Sequence, residues 1–298
     1  PVVRQRRVAA AIPAIRKVEA PKMFNASKSK TISEGDLVMV YESFKQITAV
    51  RVQSRSVLSN RFGEFPHASM LGKRWGERLQ SKRGHGFVYL LPPTPELWSC
   101  SLPHRTQILY LADISMILLQ LDLVPGSRIV EAGTGSGSLS HAIARAIGAA
   151  GHLHTFEFNE NRAQLAAAEF AANNLSSRVS CRHGDVCADG WTYQGIDSES
   201  LDAAIFDLPQ PWDAIPAVAP LVRPGGRLCC FSPCVEQVAR VLALLPSCGF
   251  TEAEVVEVLV RTHDVKLQPV RNELADALLK AQTPSGHGPA ATATRTAP

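Results

Sequence analysis

Short apolar runs alternate with helix-patterned segments from Ser127 onward, and this alternation narrows the fold more than any other feature. SRIVEAG predicts a short buried strand, and SLSHAIARAIGAAG a helix ending in small residues. HLHTFEF predicts a strand, and NENRAQLAAAEFAANN an alanine-rich helix with Asn159 as its N-cap. RVSCRHGDV, LDAAIFDLP and GRLCCFS predict three more strands, with VEQVARVLALLPSCGF as a helix before EAEVVEVLV. Upstream, ILYLADISMILLQLDL (108–123) has helical spacing. Strands interleaved with helices require crossover connections. The predicted class is therefore α/β, a doubly wound sheet with parallel strands at its centre.

A different pattern precedes it. GDLVMVYES, ITAVRVQSR and RGHGFVYLLPP are short alternating runs separated by polar turns, which predicts a small β-rich domain over residues 31–95, a partly closed barrel. The α/β domain is expected over 96–270. The ends 1–30 and 271–298 read as a basic disordered tail and a low-complexity tail. The chain opens at Pro1 with no initiator methionine, which suggests a native end further upstream. Its Arg-rich, acid-poor opening also fits a transit-peptide remnant. Net charge is +4, but residues 1–30 carry eight basic residues and one acid, so the remainder is −3. Any attraction to nucleic acid must come from a local patch, the tail or a partner. No apolar run is long enough to span a bilayer, so no membrane partner is expected. The seven cysteines are odd in number and scattered, which favours reduced thiols.

The chemistry concentrates at strand ends. In EAGTGSGSLSHA the glycines Gly133, Gly135 and Gly137 follow a strand and open a helix, so a ligand can lie against bare backbone and meet helix N–H groups. The spacing is GxGxG, with Ser138 where a dinucleotide fingerprint wants its third glycine; a plain tight turn is the structural alternative. Glu157 ends the next strand, about twenty residues on, where a carboxylate accepts ribose hydroxyls. Arg162, early in the following helix, is within reach of the same ligand. Asp185, at the third strand end, is placed to accept from an adenine amine. The fourth strand ends FDLPQPW, putting Asp207 at the mouth of the cleft and Trp212 where it can stack on a base; helix N-capping is the plainer role for Asp207. Cys229 and Cys230 are adjacent in a strand and point to opposite faces, and no CxxC pair exists, so no metal site is expected. No nucleophile elbow surrounds Ser140 and His141.

PTPELW, LPHRTQILY, EAGTGSGS, DLPQPW and GGRLCCFSPC together resemble the catalytic subunit of the eukaryotic tRNA (adenine-58-N1) methyltransferases, over about residues 32–265. The resemblance implies a β-rich N-terminal domain before a Rossmann-like class I methyltransferase domain, with S-adenosyl-L-methionine as cofactor. It adds Gln107, Val186 and the whole turn Gly133, Thr134, Gly135, Ser136, Gly137 and Ser138 to the cofactor site. It also implies that Glu131 helps place the cofactor's amino acid part, directly or through water, and it makes Asp207 catalytic. The implied partners are tRNA and a related non-catalytic RNA-binding subunit in a heterotetramer, and the implied location is the nucleus, or a mitochondrion or plastid if the basic opening is targeting. Two other readings stand beside it: a non-catalytic RNA-binding subunit, and a methyltransferase for a small molecule or protein. The family's C-terminal strand follows a Gly-His pair, whereas Gly286-His287-Gly288 here is followed by PAATATRTAP, without a large apolar residue.

Overall fold

The computed structural model describes residues 2–4, 30–103, 105–188, 196–263 and 265. Among the described residues every helix and strand lies within one compact unit, residues 1–258; those of the second unit, 259–298, carry neither. The expected C-terminal tail and the Gly286-His287-Gly288 segment lie outside the described residues.

Strand β1 is Val2–Arg4. The β-rich module follows, with β2 (Leu37–Ser43), β3 (Gln46–Arg51), β4 (Val57–Asn60), β5 (Gly63–Pro66), β6 (Arg78–Gln80) and β7 (Phe87–Leu91). It consists of a four-stranded antiparallel sheet, β3-β2-β7-β6, and a separate hairpin, β4-β5. Alternation sends Val38, Val40, Val88, Leu90 and Leu79 to one face, where they close on Ile32, Phe65 and Met70. Leu37 and Met39 point the other way, onto Trp98, Leu102 and Ile108. Packing therefore welds the module to the rest of the chain.

Helices α1 (Pro95–Ser99) and α2 (Leu111–Gln120) lead into the α/β part. There follow β8 (Arg128–Ala132), α3 (Ser138–Ile147), β9 (His152–Glu157), α4 (Glu160–Ala172), β10 (Val179–His183), β11 (Leu201–Phe206), α5 (Pro211–Val218), β12 (Val222–Cys230), α6 (Val235–Leu244) and β13 (Thr251–Glu254), with every predicted strand and helix of this part present. The seven-stranded sheet has the order β10-β9-β8-β11-β12-β1-β13, and its first five strands are parallel. Cys229 packs on one face of this sheet and Cys230 on the other. Asn159 caps α4, its side chain accepting the Arg162 N–H at 3.0 Å.

Three features depart from the sequence reading. Val2–Arg4, assigned to the basic tail, is a sheet strand antiparallel to both β12 and β13. Its neighbours are remote in sequence, so no local pattern marks it. EAEVVEVLV gives a strand only as far as Glu254. Helices α1 and α5 are short and open on proline, which suits their first turns but leaves too few residues for a visible period.

Candidate functional site: a glycine turn facing Asp207

The order reverses at β8, which lies between β9 and β11, and crevices form at such switch points. Leaving β8, the chain turns through Gly133 and Gly135, both at positive φ (95° and 53°). A methyl group on Gly133 would overlap the Asp207 carbonyl oxygen, and one on Gly135 would stand 2.7 Å from Thr106 Oγ1. These positions thus require glycine for conformation and for clearance. Asp207 follows β11 directly, and its N–H donates to the Ala132 carbonyl at 2.9 Å. Residues 106–109, residues 133–139 and Asp207 line one cleft. Gln107, Gly133, Thr134, Gly135, Ser136, Gly137, Ser138 and Asp207 are thereby brought together as the sequence predicts.

The turn's hydroxyls work inward. Ser136 Oγ accepts the N–H groups of Arg105 (2.9 Å) and Thr106 (3.3 Å). Ser138 Oγ donates to the Leu109 carbonyl (3.0 Å) and bonds Ser99 Oγ (2.6 Å). They hold the 105–109 segment over the turn, and Arg105 fastens that segment to Glu169 of α4 through two bonds of 2.7 and 3.1 Å. Sequence reasoning missed Thr106 and Arg105; their place in HRTQILY, beside Gln107, was the available signal.

A second support lies behind the turn. His141 is fully buried between Trp98 and Phe170. The Gly137 carbonyl can only accept, so His141 Nδ1–H donates to it (2.6 Å) and Nε2 accepts from Asn173 Nδ2 (3.0 Å). Burial pushes the imidazole down to about 4, so it stays neutral. Asn173 Oδ1 in turn accepts from Arg51 Nη2 (3.3 Å), and Arg51 also holds the carbonyls of Gly35 and Ala172. A continuous polar chain thus joins the β-rich module to the glycine turn.

Glu157 is buried at the end of β9. Its Oε2 accepts the Gly135 N–H (2.8 Å), and Oε1 accepts from the Asn159 N–H (3.0 Å) and from Arg162 Nη2 (2.6 Å) and Nε (2.9 Å). Arg162, expected to reach the ligand, is turned onto Glu157: charge pairing inside the site holds it. Glu131 lies deeper than the turn itself. It is buried behind the turn, where its Oε2 accepts from Ser140 Oγ (2.6 Å), and it does not line the cleft. Burial, reinforced by the charges of Asp207 and Glu157, raises Glu131 to about 7 against the hydrogen bonds of Ser140 and Thr155.

Asp185 and Val186 lie just past β10, outside the lining of that cleft. Asp185 Oδ1 accepts the N–H groups of Cys187 (3.0 Å) and Ala188 (3.3 Å), and the Val186 side chain is in the core. Trp212 is half-buried, with the Arg240 guanidinium 5.0 Å from its ring centre. Asp207 is not a helix cap, because the N-cap of α5 is Gln210, three residues later, and it makes no side-chain capping bond. Burial alone raises Asp207 to about 6, so it is mostly ionised at neutral pH. Among the described residues, no group of three or more His, Cys, Asp or Glu is arranged to hold a metal ion.

Residues 86–293 match the family model described as tRNA methyltransferase complex GCD14 subunit. The chain is 44% identical to the tRNA (adenine(58)-N(1))-methyltransferase catalytic subunit of Dictyostelium discoideum, over 80% of this chain and 77% of that one. It is 43% identical to the Candida albicans protein of the same description, over 83% and 73%. A solved S-adenosylmethionine-dependent O-methyltransferase of Thermotoga maritima superposes with a TM-score of 0.65 at 28% identity, covering 75% of this chain and 81% of that one. The tRNA (m1A58) methyltransferase of Aquifex aeolicus has the same fold, with a TM-score of 0.64 at 24% identity over 80% and 90%. An acidic strand end, a turn that must be glycine and an aspartate beside it thus coincide with a match over most of the chain: this protein belongs to the tRNA methyltransferase complex GCD14 subunit family.

Proposed function

We propose that this chain transfers a methyl group from S-adenosyl-L-methionine to N1 of adenine 58 in the tRNA T-loop. The observation that carries the reading is the contact between Asp207 and the glycine turn. It sets a half-buried carboxylate, released from any capping duty, at the mouth of the cofactor cleft. The residues present fit the cofactor: bare backbone at Gly133 and Gly135, a buried carboxylate at Glu157 for ribose hydroxyls, and Gln107 across the cleft. Bound there, S-adenosylmethionine supplies an electrophilic methyl; the N1–C bond forms as the C–S bond breaks, leaving a thioether and a cationic 1-methyladenine.

The adenine must first leave its RNA contacts and enter the cleft. Asp207, ionised at neutral pH, accepts a hydrogen bond from the exocyclic N6 amine. That orients N1 toward the methyl and stabilises positive charge as it develops on the ring. Glu157 is held ready by Gly135, Asn159 and Arg162, so it does not reorganise when ribose arrives. The 105–109 segment, tied down by Ser136 and Ser138, closes the cleft's other side.

The chain acts beside a related, non-catalytic RNA-binding subunit, as a heterotetramer, in the nucleus. Support for a partner comes from the family's description as a complex and from charge: residues 96–298 carry 14 basic and 21 acidic residues, a poor surface for a polyanion. The test is methyl transfer from labelled S-adenosylmethionine to unmodified tRNA, by the chain alone and with the related subunit, with nucleosides read by mass spectrometry. We expect 1-methyladenosine at position 58 only with both subunits. Product from the chain alone refutes the partner requirement, and absence of 1-methyladenosine in both arms refutes the reaction. Fluorescent tagging at the C-terminus tests the location, with organelle signal favouring the transit-peptide reading.

A further inference from the structure

We infer that the outer face of the sheet β3-β2-β7-β6 is an RNA-docking surface that stacks unpaired bases. This rests on the tRNA-methylating reading and locates a substrate contact outside the catalytic cleft. Three aromatic rings share that face. Tyr41 and Tyr89 are cross-strand partners with ring centres 6.5 Å apart, and Phe87 meets Tyr89 edge-on at 5.7 Å. The Arg78 guanidinium lies 4.8 Å from the Phe87 ring centre, and Arg78 pairs with Tyr89 across β6 and β7. Such rings belong in a core, yet Phe87 is 42% and Tyr89 40% exposed. The same face is covered at its other end, where Leu37, Met39 and Leu91 pack on Trp98, Leu102 and Ile108. Ile108 adjoins Gln107 of the cleft, so the aromatic stripe continues outward from a packed edge beside the cofactor pocket.

Charge selects the occupant. Residues 31–95 carry nine basic and five acidic residues, opposite in sign to residues 96–298. Of the five acids, Glu34 is engaged by Ser54 and Glu77 by Lys73. Lys82 and Arg83 are exposed in the turn that leads into Phe87. Aromatic faces interleaved with arginine and flanked by lysine suit a single-stranded polyanion whose bases are planar, because stacking accepts any base and the cations take the phosphates. A protein partner for this face would be expected to answer its positive charge with acids; RNA does so along its whole backbone. The methylated adenine lies in a loop, where neighbouring bases can splay onto such a platform.

The experiment uses the active enzyme, with its related subunit where activity requires it, and unmodified tRNA. The Phe87→Ala/Tyr89→Ala variant is expected to raise the KM and the Kd for tRNA roughly tenfold or more. The turnover number at saturating tRNA and the Kd for S-adenosylmethionine should stay within about twofold, since neither ring reaches the cleft. Tyr89→Trp should restore binding because it keeps a π-face, and Arg78→Ala should lower the salt slope of binding by about one. A tRNA Kd within about twofold of wild type for the double variant overturns the inference. So does a loss of binding accompanied by a change in assembly mass in sedimentation, which would make the face a protein–protein interface. Filter binding of tRNA reads this surface independently of methylation. Wild-type enzyme that binds tRNA without forming 1-methyladenosine therefore refutes the reaction and leaves the surface to stand or fall on the variants' Kd.

Discussion

Asp207→Asn should weaken catalysis and strengthen the fold at once. Burial raises the Asp207 carboxyl from 3.8 to about 6, so the folded state binds a proton more tightly than the unfolded chain. Stability consequently falls as pH rises from about 4 to about 6, and the full cost is present above that window. At 1.36 kcal/mol per unit, the shift corresponds to about 3 kcal/mol, a ceiling because the group borders an open cleft. Asparagine has nearly the same shape and no charge to bury, so the variant should be more stable at pH 8, with a melting temperature higher by several degrees. At pH 5 the advantage should shrink to about half, since most of the wild-type carboxyl is then protonated in the fold but not in the unfolded chain. Methyl transfer should fall by about two to three orders of magnitude, because a neutral amide leaves the developing adenine charge unopposed. Differential scanning calorimetry at the two pH values, with single-turnover methylation at saturating S-adenosylmethionine, reads both effects. An equal melting point at pH 8, or a stability gap that does not narrow at pH 5, would refute the buried-charge argument. Turnover within tenfold of wild type would refute the catalytic role.

Gly133→Ala forces a methyl against the Asp207 carbonyl at a φ of 95°; displacement of the reacting groups should cost about a hundredfold in kcat/KM, and near-normal kinetics would show that the turn can give way. Glu157→Ala should raise the S-adenosylmethionine Kd at least about tenfold by calorimetry, because it removes a charged acceptor and leaves the Gly135 N–H without its bond; a Kd within about threefold would place the ribose elsewhere. His141→Ala removes the ring's bonds to the Gly137 carbonyl and the Asn173 amide and leaves a cavity between Trp98 and Phe170. It should cost about 3 kcal/mol or more in denaturant unfolding, and a loss below about 1 kcal/mol would remove the polar chain from the account. Wild-type kcat/KM should fall as pH drops through about 6, the Asp207 range, and this limb should vanish in Asp207→Asn.

Much of the site was legible because it is local. A strand, a glycine turn and a helix are contiguous in EAGTGSGSLSHA, and Glu157 and Asp207 stand where strands run out of apolar residues. The roles of individual side chains were less legible. Arg162 was expected at the ligand and pairs with Glu157; Glu131 was expected at the cofactor and lies buried against Ser140. A carboxylate or guanidinium in a crowded site goes to the nearest partner that compensates its desolvation, and those partners come from other strands.

By itself, the sequence determined the alternation of strand and helix, the backbone freedom of the turn and the acids at the strand ends, since each depends on residues within a few positions of one another. Only the tertiary structure decided the rest. It inserted Val2–Arg4 between β12 and β13, and it routed hydrogen bonds from Arg51 through Asn173 and His141 to the turn. It also decided that Phe87 and Tyr89, indistinguishable in sequence from core residues of a strand, face outward beside Arg78. A strand's pattern states which residues share a face; what covers that face is settled by chain far away in sequence.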